Sequence, residues 1–188
     1  MDTLAFINGL VRTVENQLAR SEVLRVQPLE RLQRKPAPKR WSVMEIVEHM
    51  ILSSEVYYRG LSALYARPVN KLRYSSTYSP GRFGALSTKA MQPGSDGTIS
   101  WRMKTMGMFE PRTAITKGWT ALDEFEKMLR GMLQLLNEAK EKGIEGEKIT
   151  STLGPILRFK AGDAFAFPIA HQERHWLQIE RTLKELGQ

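Results

Sequence analysis

Apolar residues recur at spacings of three and four in four separate stretches of this chain, and that period points to helices before any other feature is considered. Leu4, Ile7, Val11, Val14 and Leu18 mark a first helix over about 2–26. A second begins at Ser42, where serine followed three residues later by Glu45 forms a capping-box pattern. Its apolar line runs through Val43, Ile46, Val47, Met50, Tyr57, Leu61 and Leu64, and Pro68 ends it near 66. A third, over about 112–142, carries Ile115, Trp119, Leu122, Phe125, Leu129, Leu133 and Leu136. The fourth, over about 161–186, carries Phe165, Ile169, Trp176, Ile179 and Leu183, with Pro168 as an expected kink. Four such helices predict an all-α four-helix bundle, one domain over 1–188.

The connections are unequal. Two prolines, Pro36 and Pro38, make the basic segment before Ser42 an extended connector, and Gly143 to Gly154 is a turn-rich link in which short strands remain open. Between 67 and 111 the periodicity vanishes. A crossover of that length needs a reason, and parallel neighbours supply one: two consecutive helices that point the same way need a connection as long as the bundle.

Composition excludes several classes. With no cysteine among 188 residues, disulfides, thiolate metal sites and cysteine nucleophiles are out, which suits a reducing cytoplasm. No apolar run approaches the roughly 20 residues that span a bilayer, and no secretory signal is evident. The expected location is cytoplasmic, without membrane contact. The net charge of +8 is concentrated, since residues 59–112 hold nine basic side chains against two acidic ones. Such a segment can hold an acidic partner or nucleic acid, with Tyr74, Tyr78, Phe83 and Trp101 as stacking candidates, or it can be a solvated loop folded on the bundle.

Three histidines are present. His171 and His175 stand one turn apart on one helix face, so both imidazoles can reach one ion, although such a pair also occurs as ordinary core or surface histidines. His49 lies at the edge of the second helix's apolar face. Gln178, three residues after His175, can orient a ligand or hold a water. The zinc-protease pattern HExxH fails, because Glu173 falls on the opposite side of the helix. Trp41 and Trp176 are expected in the core, and Glu45 as a cap.

The stretch Trp41-Ser42-x-x-Glu45-x-x-x-His49-Met50 resembles the second-helix opening of the DinB/YfiT-like superfamily, and His171-x-x-x-His175-x-x-Gln178-Ile179 resembles its fourth-helix motif. The resemblance implies a metal-binding four-helix bundle with helices two and three parallel. It also implies a divalent ion held by His49, His171 and His175, with a homodimer as a frequent assembly. Zinc or nickel suits imidazole best, followed by iron and manganese. Three neutral ligands leave a coordination position open, as catalysis requires. The expected function is therefore a metal-dependent enzyme acting on a small molecule, either a thiol transferase that uses a low-molecular-weight thiol or a hydrolase. The alternative is a metal-stabilised binding module that uses the basic crossover. No catalytic side chain is assigned. Arg82, Arg102 and Lys104 would serve an anionic substrate if the crossover folds over the ion. Because the imidazoles must be deprotonated, metal affinity is expected to fall as pH drops through about 6.5.

Overall fold

The computed structural model describes the chain apart from residues 95, 100–103, 113–116, 155 and 188. In order, the elements are α1 (Thr3–Arg25), α2 (Leu29–Gln33), α3 (Val43–Tyr65), α4 (Arg82–Met91), a 3-10 turn (Gly107–Phe109), α5 (Trp119–Lys142), β1 (Lys148–Thr150), β2 (Arg158–Lys160) and α6 (Ala161–Leu186). The helices α1, α3, α5 and α6 are the four of the bundle, and the all-α expectation holds.

Each starts and stops for a local reason. Asp2 caps α1 by accepting the Ala5 N–H. Ser42 and Glu45 form the reciprocal box at the start of α3: the Glu45 N–H donates to Ser42 Oγ at 3.2 Å and the Ser42 N–H to Glu45 Oε2 at 2.8 Å. Lys35 adds a charge to Glu45 at 2.8 Å, so this carboxylate is fully occupied in holding the helix entry. The third long helix begins at Trp119, later than the expected 112, because Gly118 takes a φ of +51° that breaks the helical path. Residues 113–116, with Ile115, lie outside the described set.

Polar contacts set the helix directions. Tyr65 donates its hydroxyl to the Gly143 carbonyl at 2.8 Å, and Lys142 Nζ donates to the Tyr65 carbonyl at 3.1 Å, so α3 and α5 end side by side. A turn and more earlier, Tyr58 lies against Gly131, where a methyl group would overlap its hydroxyl. Helices α3 and α5 are therefore parallel, as the long crossover required. Helix α6 runs antiparallel to α3, since Ser54 meets Gln172 while Tyr57 meets Phe167. The core between them contains Ile46, Met50, Tyr57, Leu122, Phe125, Phe165 and Trp176, all buried. Pro168 sits inside α6 without ending it.

The segment 67–111 is more structured than its aperiodic sequence suggests. Helix α4 packs on α6, and the contact is built around Asp163. Tyr78, buried and stacked on Phe6, donates its hydroxyl to Asp163 Oδ1 at 2.6 Å, and the Gly81 N–H donates to Oδ2 at 2.9 Å. Gly84 approaches so closely that a Cβ there would overlap the same carboxylate. The link after α5 forms a two-stranded antiparallel hairpin in which Ile149 faces Phe159. Among the described residues no helix is long and apolar enough to cross a membrane.

Candidate metal centre

Helix α3 brings His49 and α6 brings His171 and His175 to one point between the two helices. Their ligand nitrogens lie within 4.8 Å of one another, and ring centroids are separated by 4.5 Å (His49 to His175, His171 to His175) and 5.3 Å (His49 to His171). His49 and His175 are buried, and His171 is half-buried.

Each imidazole has its Nδ1 engaged. His49 Nδ1 lies 2.7 Å from the Phe109 carbonyl oxygen, which can only accept, so this nitrogen carries the proton. His175 Nδ1 lies 2.9 Å from Gln178 Oε1, likewise an acceptor. His171 Nδ1 lies 3.3 Å from Ser53 Oγ. That hydroxyl gives its own proton to the His49 carbonyl at 2.8 Å, so it accepts from the ring. The network thus assigns Nδ1–H to all three residues and leaves all three Nε2 atoms with free lone pairs. Outer partners of this kind fix the tautomer and raise the basicity of a metal-ligating histidine.

Two of those lone pairs oppose each other: His171 Nε2 and His175 Nε2 are 3.1 Å apart. With both Nδ1 positions protonated, neither Nε2 can donate to the other. A shared cation would turn this repulsion into attraction, and two nitrogens each about 2.0–2.1 Å from one zinc sit about 3 Å apart. The residues therefore fit a divalent ion. Protons are a poor substitute for it. Burial lowers the pKa of all three histidines, that of His171 to about 3, and mutual repulsion with the neighbouring imidazoles and Arg174 depresses His171 and His175 further.

The nitrogens face a cavity of about 100 Å³ that is also lined by Met91, Lys104, Met106, Phe109, Phe167 and Arg174. The crossover therefore does fold over the site. A family model for the DinB superfamily matches residues 12–179. The chain belongs to the DinB superfamily. No curated protein and no solved structure gives a significant match.

For this DinB-superfamily chain the fate of the other sequence candidates is mixed. Gln178 orients His175, as its spacing suggested. Glu173 turns away from the histidines, accepting from Gln17 Nε2 at 2.8 Å and pairing with Arg20. Trp176 is buried beside Phe125, whereas Trp41 is only partly buried and sets its ring 4.9 Å from that of His49. Lys104 lines the cavity, Arg82 does not, and Arg102 lies outside the described residues. Of the four crossover aromatics, Tyr78 is buried, Tyr74 and Phe83 are exposed on the surface, and Trp101 is outside the described set. Ser53 and the Phe109 carbonyl were not foreseen. Ser53 had a readable signal, standing one turn after His49 on the same face; a backbone carbonyl sixty residues away had none.

Proposed function

We propose that this DinB-superfamily protein is a metal-dependent enzyme acting on a small molecule, with one divalent ion, zinc or nickel, held by Nε2 of His49, His171 and His175. One observation carries the reading. Three protonated Nδ1 atoms direct three unshared Nε2 lone pairs to one point, and among the described residues that point borders a cavity rather than a fourth metal-binding side chain. A divalent ion there would act as a Lewis acid, acidifying a bound thiol or water and polarising a carbonyl.

The chain's own contribution is positional and electrostatic. Gln178, Ser53 and the Phe109 carbonyl hold the rings in place. Phe109, Phe167, Met91 and Met106 provide apolar walls that exclude water, which strengthens charge interactions inside. Lys104 and Arg174 supply positive charge where an anionic nucleophile or oxyanion would form. Because the chain has no cysteine, a thiol reaction requires an external thiol.

The test uses chelator-treated protein with stoichiometric zinc or nickel added back. In the transferase assay, glutathione sulfur displaces chloride from 1-chloro-2,4-dinitrobenzene, forming the C–S bond and releasing a proton and chloride. In the hydrolase assay, water cleaves p-nitrophenyl acetate to acetate and p-nitrophenol. Turnover in either that depends on metal and is lost in His175→Ala supports the reading, and turnover equal with and without metal in both overturns it.

A further inference from the structure

The histidine cavity, at about 100 Å³, is small beside the roughly 300–1,000 Å³ of ordinary small-molecule sites, so it holds the reacting group and little else. The remainder of a substrate needs another place. Thr105, Arg174 and His175 also line a second cavity of about 890 Å³, bounded by the connector before α3, the crossover and the last turns of α6.

Its lining is basic. Among the described residues, Lys39, Arg40, Arg174 and Arg181 stand against one carboxylate, Glu185, and Arg40 already pairs with that group at 3.1 Å. Arg181 donates to the Gly97 carbonyl at 2.8 Å, which fixes the guanidinium without cancelling its charge. Lys39 is exposed. A depression along α5, by contrast, is lined by Gln134, Asn137, Glu138 and Glu141. Clustered like charge in a concave site focuses the potential and selects ligands of the opposite sign.

We propose that the larger cavity binds the anionic portion, carboxylate or phosphate, of an elongated small molecule whose reactive end reaches the three histidines. Lys39 and Arg181 recognise the anion, and His175 belongs to both compartments. The inference rests on the metalloenzyme reading for the role of the reactive end, but the anion site stands or falls separately.

The experiment is calorimetric titration of zinc-loaded protein with glutarate, phenyl phosphate and the neutral dimethyl glutarate. One or both anions bind saturably, more weakly as salt rises, and the diester does not; the tighter of the two identifies the carboxylate or phosphate source. Lys39→Ala and Arg181→Ala each weaken anion binding by roughly tenfold, as loss of a charge-assisted hydrogen bond does. The distant Lys148→Ala leaves it unchanged. Chelator-treated wild-type protein, which lacks the metal and keeps the His49–Phe109 bond, retains anion binding. Loss of binding in the chelator-treated protein with retention in Lys39→Ala and Arg181→Ala would place the anion on the metal and overturn the inference while sparing the metal site. Equal binding of diester and anion, no saturable binding, or equal losses in Lys148→Ala would also overturn it.

Discussion

His49 Nδ1 donates to the carbonyl oxygen of Phe109 at 2.7 Å, which joins the second turn of α3 to the far end of the crossover. This single bond makes the crossover part of the candidate metal centre. By linkage, an ion that binds the closed arrangement stabilises it against local opening. Trypsin cleavage at Lys104 should therefore slow when zinc is added, by up to about a hundredfold at zinc concentrations 100 times the dissociation constant. In His49→Ala the same addition should have no effect. Cleavage followed by mass spectrometry decides the point, and protection that survives the substitution would show that the ion and the crossover are uncoupled.

Gln178 and Ser53 touch the rings at Nδ1, away from the Nε2 atoms proposed to hold an ion. Gln178→Ala and Ser53→Ala each free an imidazole to rotate and to change tautomer, and losses of this type typically reduce metal affinity 10–100-fold. His175→Ala should cost more, since it removes a donor, while far-ultraviolet circular dichroism stays unchanged because the four apolar helix faces hold the bundle. Competition with a fluorescent zinc chelator measures all three. Wild-type affinity in Gln178→Ala would remove the orienting role.

Asp163 anchors the other end of the crossover, so two substitutions should weaken the fold without touching a histidine. Gly84→Ala forces a methyl into the carboxylate and should cost about 1–3 kcal/mol, the usual range for overpacking. Asp163→Ala leaves the buried Tyr78 hydroxyl without its acceptor, at about 1–3 kcal/mol. Gly107→Ala is the control. Nothing lies within 4 Å of a Cβ there, and its change should stay within about 0.5 kcal/mol. Urea unfolding measures each, and a Gly84→Ala protein as stable as Gly107→Ala would contradict the packing described.

The four bundle helices were legible because each buries a stripe at helical spacing, and because Ser42 and Glu45 announce an N-terminus through purely local chemistry. The parallel pairing of α3 and α5 was legible from the length of the connection alone. Helix α4 was not: its ten residues show no long apolar stripe, and what holds it is one buried carboxylate, Asp163, eighty residues downstream. The start of α5 was misjudged since the apolar spacing runs on through 112–118, whereas the backbone turns at Gly118. At the candidate site the three histidines could be named from the sequence. Their tautomers could not, because two of the three acceptors, the Phe109 carbonyl and Ser53 Oγ, reach their rings only through tertiary packing.

Protonation provides the final test. Three histidines at the ordinary value of 6.5 would make metal binding collapse in acid: at pH 5.5 each must shed a proton, and affinity would fall roughly a thousandfold. Burial changes that expectation. With all three pKa values lowered, that of His171 to about 3, the folded protein keeps its imidazoles neutral further into the acid range than free histidine would. Affinity for the folded protein should therefore fall by clearly less than about a thousandfold between pH 7.5 and 5.5, a shallower decline than three free histidines would give. The proton cost appears in stability instead. Above pH 6.5 histidine is neutral in both folded and unfolded chains and contributes no slope; below it, only the unfolded chain takes up the proton. The metal-free protein should lose stability progressively as pH falls from 6.5 toward 3, by about 1.4 kcal/mol per pH unit for each histidine held neutral. His171→Gln should reduce that slope. Zinc titration at pH 7.5 and 5.5, paired with urea unfolding of chelator-treated protein at both values, separates the two accounts: a thousandfold loss of affinity in the acid sample with no loss of fold stability would mean that the rings titrate as freely as they do in water.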